Sequence, residues 1–120
     1  MGWASAERIA MWARVHDGEE AYSFHQLLMG ENCLHNVIND NRGEPLFQAD
    51  AYCCASASVV DMPMQSRDRV MASLSAMPAA RPKGSSRGLL ARGNFEVSAQ
   101  WSGGHASRRR SCRNRVEIWT

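Results

Sequence analysis

The sequence predicts an α+β chain in which helices come first and antiparallel strands follow. Three observations carry this expectation. Residues 3–28 place apolar side chains at helical spacing, interrupted once by a capping signal. Residues 51–62, AYCCASASVVDM, are small and apolar nearly all round over a helix length. Residues 95–101, FEVSAQW, alternate with period two, as a half-buried strand does. The segregated order gives two regions joined near residue 80: helices over 1–78 and strands over 79–120.

The first helix is expected over 3–16, with Ile9, Trp12, Ala13 and His16 as its apolar stripe. "HDGEE" stops it. Gly18 breaks the helix, and Asp17 followed by Glu20 is a capping-box pattern for the next one. That second helix presents Ala21, Phe24, His25 and Leu28, and Gly30 ends it. Residues 31–49 are rich in Asn, Asp, Gly and Pro and read as irregular. Asp50 then stands where an N-cap would, before an apolar helix expected to be buried on most sides. Pro63 breaks or kinks that helix. "AARPKGSSRG" reads as a linker. In the strand that follows, Phe95, Val97, Ala99 and Trp101 share the inward face, and Glu96, Ser98 and Gln100 face outward. Ser102-Gly103-Gly104 is a turn, and "HASRRRSC" and "RVEIWT" are further strands. At least one arginine of the 108–110 run must lie over the apolar face, reaching a rim or a carboxylate such as Glu117.

The totals bound the function. A chain of 120 residues holds one small domain's worth of core. Its net charge of +2 does not demand an acidic partner, and Lys83 is its single lysine. The run "RRRSCRNR" reads as an exposed strand-and-turn face, without the interleaved aromatics that stack nucleic-acid bases, so no nucleic acid is expected. A small basic interaction or nucleic-acid-binding module is the alternative function. No apolar run is long enough to span a bilayer and no leader pattern opens the chain. No membrane association is expected, and the compartment stays unknown. Cys33, Cys53, Cys54 and Cys112 fit no disulfide framework and read as mostly buried thiols. Cys33, His35, Cys53 and Cys54 match no common zinc spacing, so neither metal nor cofactor is expected. By itself Asp50 reads as a helix cap or a solvated loop residue before it reads as a catalytic group.

Four segments carry a family resemblance in consistent order. They are "GWASAERIAMWARVHDGEEAY", "NVIND" with "PLFQAD", "MPMQS", and "AMPAARPKGSSRGLLARGNFEVSAQW". Together they cover about residues 2–101, and the last is the most specific because so many positions agree without a gap. In these the chain resembles the C-terminal stretch of glycoside hydrolase family 95, the inverting α-L-fucosidases and their relatives. The resemblance implies the final helices of a catalytic (α/α)6 barrel followed by the start of a β-domain. It implies a fucosylated glycan as substrate of the full-length proteins, with no cofactor. It gives Asp50 a catalytic role, polarising an asparagine that activates the attacking water, and places Gln48 at the substrate. The glutamate that protonates the leaving oxygen, and the asparagine, belong to a part of the family upstream of this stretch, so the chain alone is expected to be an inactive fragment. Three departures stand out. The family's Gly-Asn-Phe-Gly after the aspartate is here Ala51-Tyr52-Cys53-Cys54, a Trp of the first helix is Glu7, and Pro63 falls within the family's helix. Added Cβ atoms crowd a backbone that glycine lets pack closely. Such changes are those of a remnant no longer held to an active fold.

Overall fold

The computed structural model describes residues 2–31, 33, 39–41, 44–68 and 70–113. Helix α1, Gly2–Arg14, and helix α2, Gly18–Glu31, form an antiparallel hairpin. The short strands β1, Asn39–Asn41, and β2, Glu44–Leu46, pair with each other, and helix α3, Ala49–Asp61, follows. Then come β3, Met64–Arg67, and β4, Val70–Ser73, as one hairpin, and β5, Lys83–Ala91, β6, Phe95–Ser102, and β7, His105–Arg113, as an antiparallel sheet in that order. The chain is therefore α+β with its sheets antiparallel among the described residues. It is a flattened body of 49 × 44 × 23 Å. Its radius of gyration, 16.1 Å, exceeds the roughly 14 Å expected of a compact domain this long.

The helical layer is held by small residues. Ala6, Ile9 and Ala13 of α1 meet Ala21 and Leu28 of α2, with Met62 and Ala76 closing the cluster. Among the described residues its buried large side chains are Ile9, Leu28 and Met62, each worth about 1.5–3 kcal/mol when buried, and Tyr22, Phe24 and Met77 pack half-buried against them. The alanines instead let the helices approach closely. Ser58 of α3 faces this seam. Its hydroxyl donates to the Cys54 carbonyl one turn back and lies 3.4 Å from the Ala6 carbonyl of α1. One half of the expected capping box is present: the Asp17 carboxylate accepts from the Glu20 N–H at 3.1 Å, while the Asp17 N–H donates to the Trp12 carbonyl at 3.0 Å.

Several expectations are corrected. His16 is not part of the α1 stripe: it lies past the helix end at φ 69°, and Trp12 is 37% exposed. Gly18 does not separate the helices but is the first residue of α2, and Gly30 lies inside α2. The 31–49 stretch holds the β1–β2 hairpin, whose three-residue strands are too short to show a period. Helix α3 is not buried on most sides, because only Ala51 and Ser58 are fully buried while Cys53, Val59 and Val60 face solvent. It ends at Asp61, two residues before Pro63. The linker reading of "AARPKGSSRG" holds only to residue 82, since Lys83 begins β5. A run of Gly and Ser lacks strand alternation, and the pairing with β6 supplies the order.

The β6 reading holds. Val97 and Ala99 are buried, and Phe95 and Trp101 half-buried on the same face. Gly103 and Gly104 join β6 to β7, both at positive φ (62° and 76°), the conformation a two-residue I′ hairpin turn requires. Arg109 pairs with Ala99 and so falls on the apolar side, where its guanidinium reaches the Ser73 hydroxyl at 3.2 Å. Arg113 covers the Phe95 ring at 5.7 Å. "RVEIWT", residues 115–120, lies outside the described residues, as do His35 and Glu117.

The β3–β4 hairpin joins the two layers. Buried Gln65 donates from Nε2 to the Ala13 carbonyl at the end of α1, and Arg67 donates to the Arg14 carbonyl at 3.2 Å. On its other side the Ser66 hydroxyl accepts from the Arg92 N–H at 2.9 Å. The chain then returns to the helices, with Ala76 N–H on the Met62 carbonyl at 3.2 Å.

Candidate functional site

The start of α3 gathers the residues singled out from the sequence. Asp50 is not the N-cap. That position belongs to Gln48, whose side chain makes no capping bond, and Asp50 is the second helical residue. Its carboxylate is exposed and accepts from the Ala51 N–H at 3.0 Å. A negative charge in a first turn suits the helix dipole, worth about 0.3–1 kcal/mol at an exposed site. Gln48 is half-buried, with Oε1 enclosed and without a hydrogen-bond partner among the described residues. An enclosed, unsatisfied amide oxygen is costly. Phe47 is 73% exposed, its ring 6.3 Å from that of Tyr52.

Behind this turn a shallow cleft of about 300 Å³ runs between α2 and α3, lined by His25, Leu28, Cys33, Ala51, Tyr52 and Val59 among others. The Tyr52 hydroxyl lies 3.9 Å from the Cys33 sulfur. Partial burial, then the Cys33 contact, raise the Tyr52 phenol above its usual range. His25 is pushed below its ordinary value by burial and then by the charge of Arg81, so it stays neutral at lower pH than a free histidine. Asp50 does not line this cleft, and none of the lining residues is a carboxylate.

The thiols are more open than the sequence suggested. Cys53 and Cys112 are exposed, and Cys33 and Cys54 half-buried. Among the described residues no helix is long and apolar enough to cross a membrane. Tyr52, Cys33 and His25 carried no sequence signal that would join them, because their proximity arises only when α2 and α3 pack.

The geometry is that of an exposed carboxylate and an enclosed amide on one turn, beside a helical layer that leads into an antiparallel sheet. Residues 1–62 match the glycosyl hydrolase family 95 catalytic domain, and residues 65–116 match the glycoside hydrolase family 95 C-terminal domain. The chain belongs to glycoside hydrolase family 95. It is 33% identical over 116 residues to "Alpha-L-fucosidase 2" of Arabidopsis thaliana, covering 87% of this chain and 13% of that protein. It is 35% identical over 112 residues to "Probable alpha-fucosidase A" of Aspergillus niger, covering 84% of this chain and 14% of that protein. The two matched family segments meet between residues 62 and 65, where α3 ends and β3 begins.

Proposed function

We propose that this chain is a fragment from the C-terminal region of an inverting α-L-fucosidase acting on terminal α-L-fucosyl linkages of glycans. Its helices are the last of an (α/α)6 barrel and its strands the start of the β-domain. Asp50 serves the site by polarising the asparagine that activates water, and Gln48 contacts the glycan. The observation that carries this reading is the Phe47-Gln48-Ala49-Asp50 turn, with the carboxylate open to solvent and the Gln48 amide oxygen unsatisfied. The second face of α3 supports the barrel. Val60 and Cys53, two turns apart, are exposed, and a helix apolar on both faces is one that packs on both.

Inversion needs an acid and a base on opposite sides of the bond, about 6.5–9.5 Å apart. Asp50 is one carboxylate and fills one role, so the 120-residue chain alone does not turn over substrate. The test is hydrolysis of an aryl α-L-fucoside and of 2′-fucosyllactose by the purified chain, with no product above a mock preparation expected. Turnover abolished by Asp50→Asn would overturn the inactivity. In a chimera carrying this segment in place of the matching stretch of the Aspergillus niger relative, Asp50→Asn should lower kcat by about 100-fold or more. A chimera indifferent to that substitution removes Asp50 from the site.

A further inference from the structure

A second cleft, of about 450 Å³, lies between the helical layer and the three-stranded sheet, within the ~300–1,000 Å³ usual for small-ligand sites. Its floor follows from one register position. Gly84 of β5 pairs with Trp101 of β6, so their side chains share a face. With no side chain at 84, the indole folds over the strand. A Cβ there would fall 2.9 Å from the ring's Cε2 and closer still to Cζ2. The indole Nε1–H donates to the Arg81 carbonyl at 3.1 Å, which fixes both the ring and the start of the strand. The half-exposed ring of Trp101 thus forms one wall, and Tyr22 and His25 of α2 form the opposite one.

Two cations stand in this cleft with no carboxylate among its described lining residues. Arg81 lies over the Tyr22 ring at 5.8 Å, a contact made through the guanidinium face, while its N–H donors lie at its edge. Lys83 follows two residues on, and neither makes an ion pair among the described residues. No lining residue is an Asp or Glu, while Ser85 and Ser86 add hydroxyls. An aromatic wall beside an Arg–Lys pair suits a ligand with one apolar ring face and one planar anion. A hexuronate has both, an axial C–H face to lie on indole and a carboxylate that matches the guanidinium fork. We propose that this cleft binds a uronic-acid residue of an acidic glycan, its carboxylate held by Arg81 and Lys83 and its ring laid on Trp101. The proposal uses neither Asp50 nor turnover, so it stands or fails apart from the fucosidase reading.

The experiment is a titration of the 15N-labelled chain, following the Trp101 indole N–H, assigned through Trp101→Phe. The probes are trigalacturonate, neutral galactotriose and sodium sulfate. Trigalacturonate should move the Trp101 signal with saturation, galactotriose should bind at least about tenfold more weakly, and sulfate should not saturate the shift. Arg81→Gln and Lys83→Gln should each weaken trigalacturonate by about tenfold or more, because each removes a charge-assisted contact. Arg81→Gln keeps the backbone carbonyl that Trp101 holds, so its signal stays a valid reporter of folding. Equal binding of the neutral trisaccharide, saturation by sulfate alone, or no shift with trigalacturonate would each overturn the proposal.

Discussion

Gly18 is the position where the addition of one methyl group tests the packing most sharply. It is buried at the first turn of α2, and a Cβ built on it would lie 2.5 Å from the Ala76 carbonyl oxygen and 2.8 Å from the Met77 carbonyl carbon. Ordinary contacts between such atoms lie near 3.5–4.0 Å. The 74–78 segment would have to retreat by about 1 Å, and it is backbone, so no rotamer change relieves the clash. It is also tied down. Leu74 N–H donates to the Pro63 carbonyl at 2.7 Å, Ala76 N–H to the Met62 carbonyl at 3.2 Å, and Ala79 N–H to the Glu19 carboxylate. Overpacking of this kind costs about 1–3 kcal/mol, and losing the Ala76 hydrogen bond adds about 1 kcal/mol. The gain from removing a glycine, at most ~1 kcal/mol, offsets part of it. Gly18→Ala should therefore lower stability by about 1–3 kcal/mol, out of a total on the order of 5–15 kcal/mol. Gly30 supplies the control within the same helix, since a Cβ there meets nothing within 4 Å. Gly30→Ala should be neutral or stabilising by up to ~1 kcal/mol. Urea melts of both variants read the difference as a shift in midpoint at constant slope. A Gly18→Ala variant as stable as Gly30→Ala would refute the docking of the 74–78 segment on α2.

Gln65→Leu removes the buried link from β3 to the Ala13 carbonyl and should cost about 1–2 kcal/mol in the same melts, with an unchanged midpoint counting against the joined layers. His25 has its folded pKa lowered by burial and by Arg81, so the unfolded chain takes the proton more readily. Stability should then fall as pH drops through the ordinary value of about 6.5 and level off below the folded pKa, a dependence that His25→Gln flattens. Proton NMR should place the His25 midpoint below that of a free histidine. Arg81→Gln should raise it only part of the way, because burial is the larger cause. Ellman's reagent should react quickly with exposed Cys53 and Cys112 and slowly with Cys33 and Cys54 in the native chain, and four equally fast thiols would contradict the packing of α3.

What the sequence made legible was local. Asp17 and Glu20 marked the start of α2 because a capping box is a contact between near neighbours. The β6 strand was legible because strict alternation from Phe95 to Trp101 matches one buried face, and the Gly103-Gly104 turn because only left-handed residues close a two-residue hairpin this way. The errors came where a neighbour decides. Nothing in Lys83-Gly84-Ser85-Ser86 favours a strand until β6 lies beside it. The apolar composition of α3 suggested burial all round, yet composition reports a tolerance for burial and not the presence of a covering element. Burial of the α1 and α2 stripe depends on neighbours in the same way, and Trp12 stays 37% exposed. Ile9, Ala13 and Leu28 are buried because α2, α3 and the returning 76–77 segment cover them within this chain.

The candidate site divides the same way. A lone aspartate before an apolar helix is most simply a cap, and only the family motif around Phe47 and Gln48 raised Asp50 above that reading. In the structure the N-cap position falls to Gln48, and among the described residues the Asp50 carboxylate accepts from the adjoining Ala51 N–H at 3.0 Å. A carboxylate retains lone pairs for three or so further donors. With its side chain exposed and that capacity open, Asp50 can orient an amide presented from elsewhere, as the proposed role requires. Asp50→Asn replaces one acceptor oxygen with a donor while keeping the side-chain shape, so it separates that polarising role from a merely steric one.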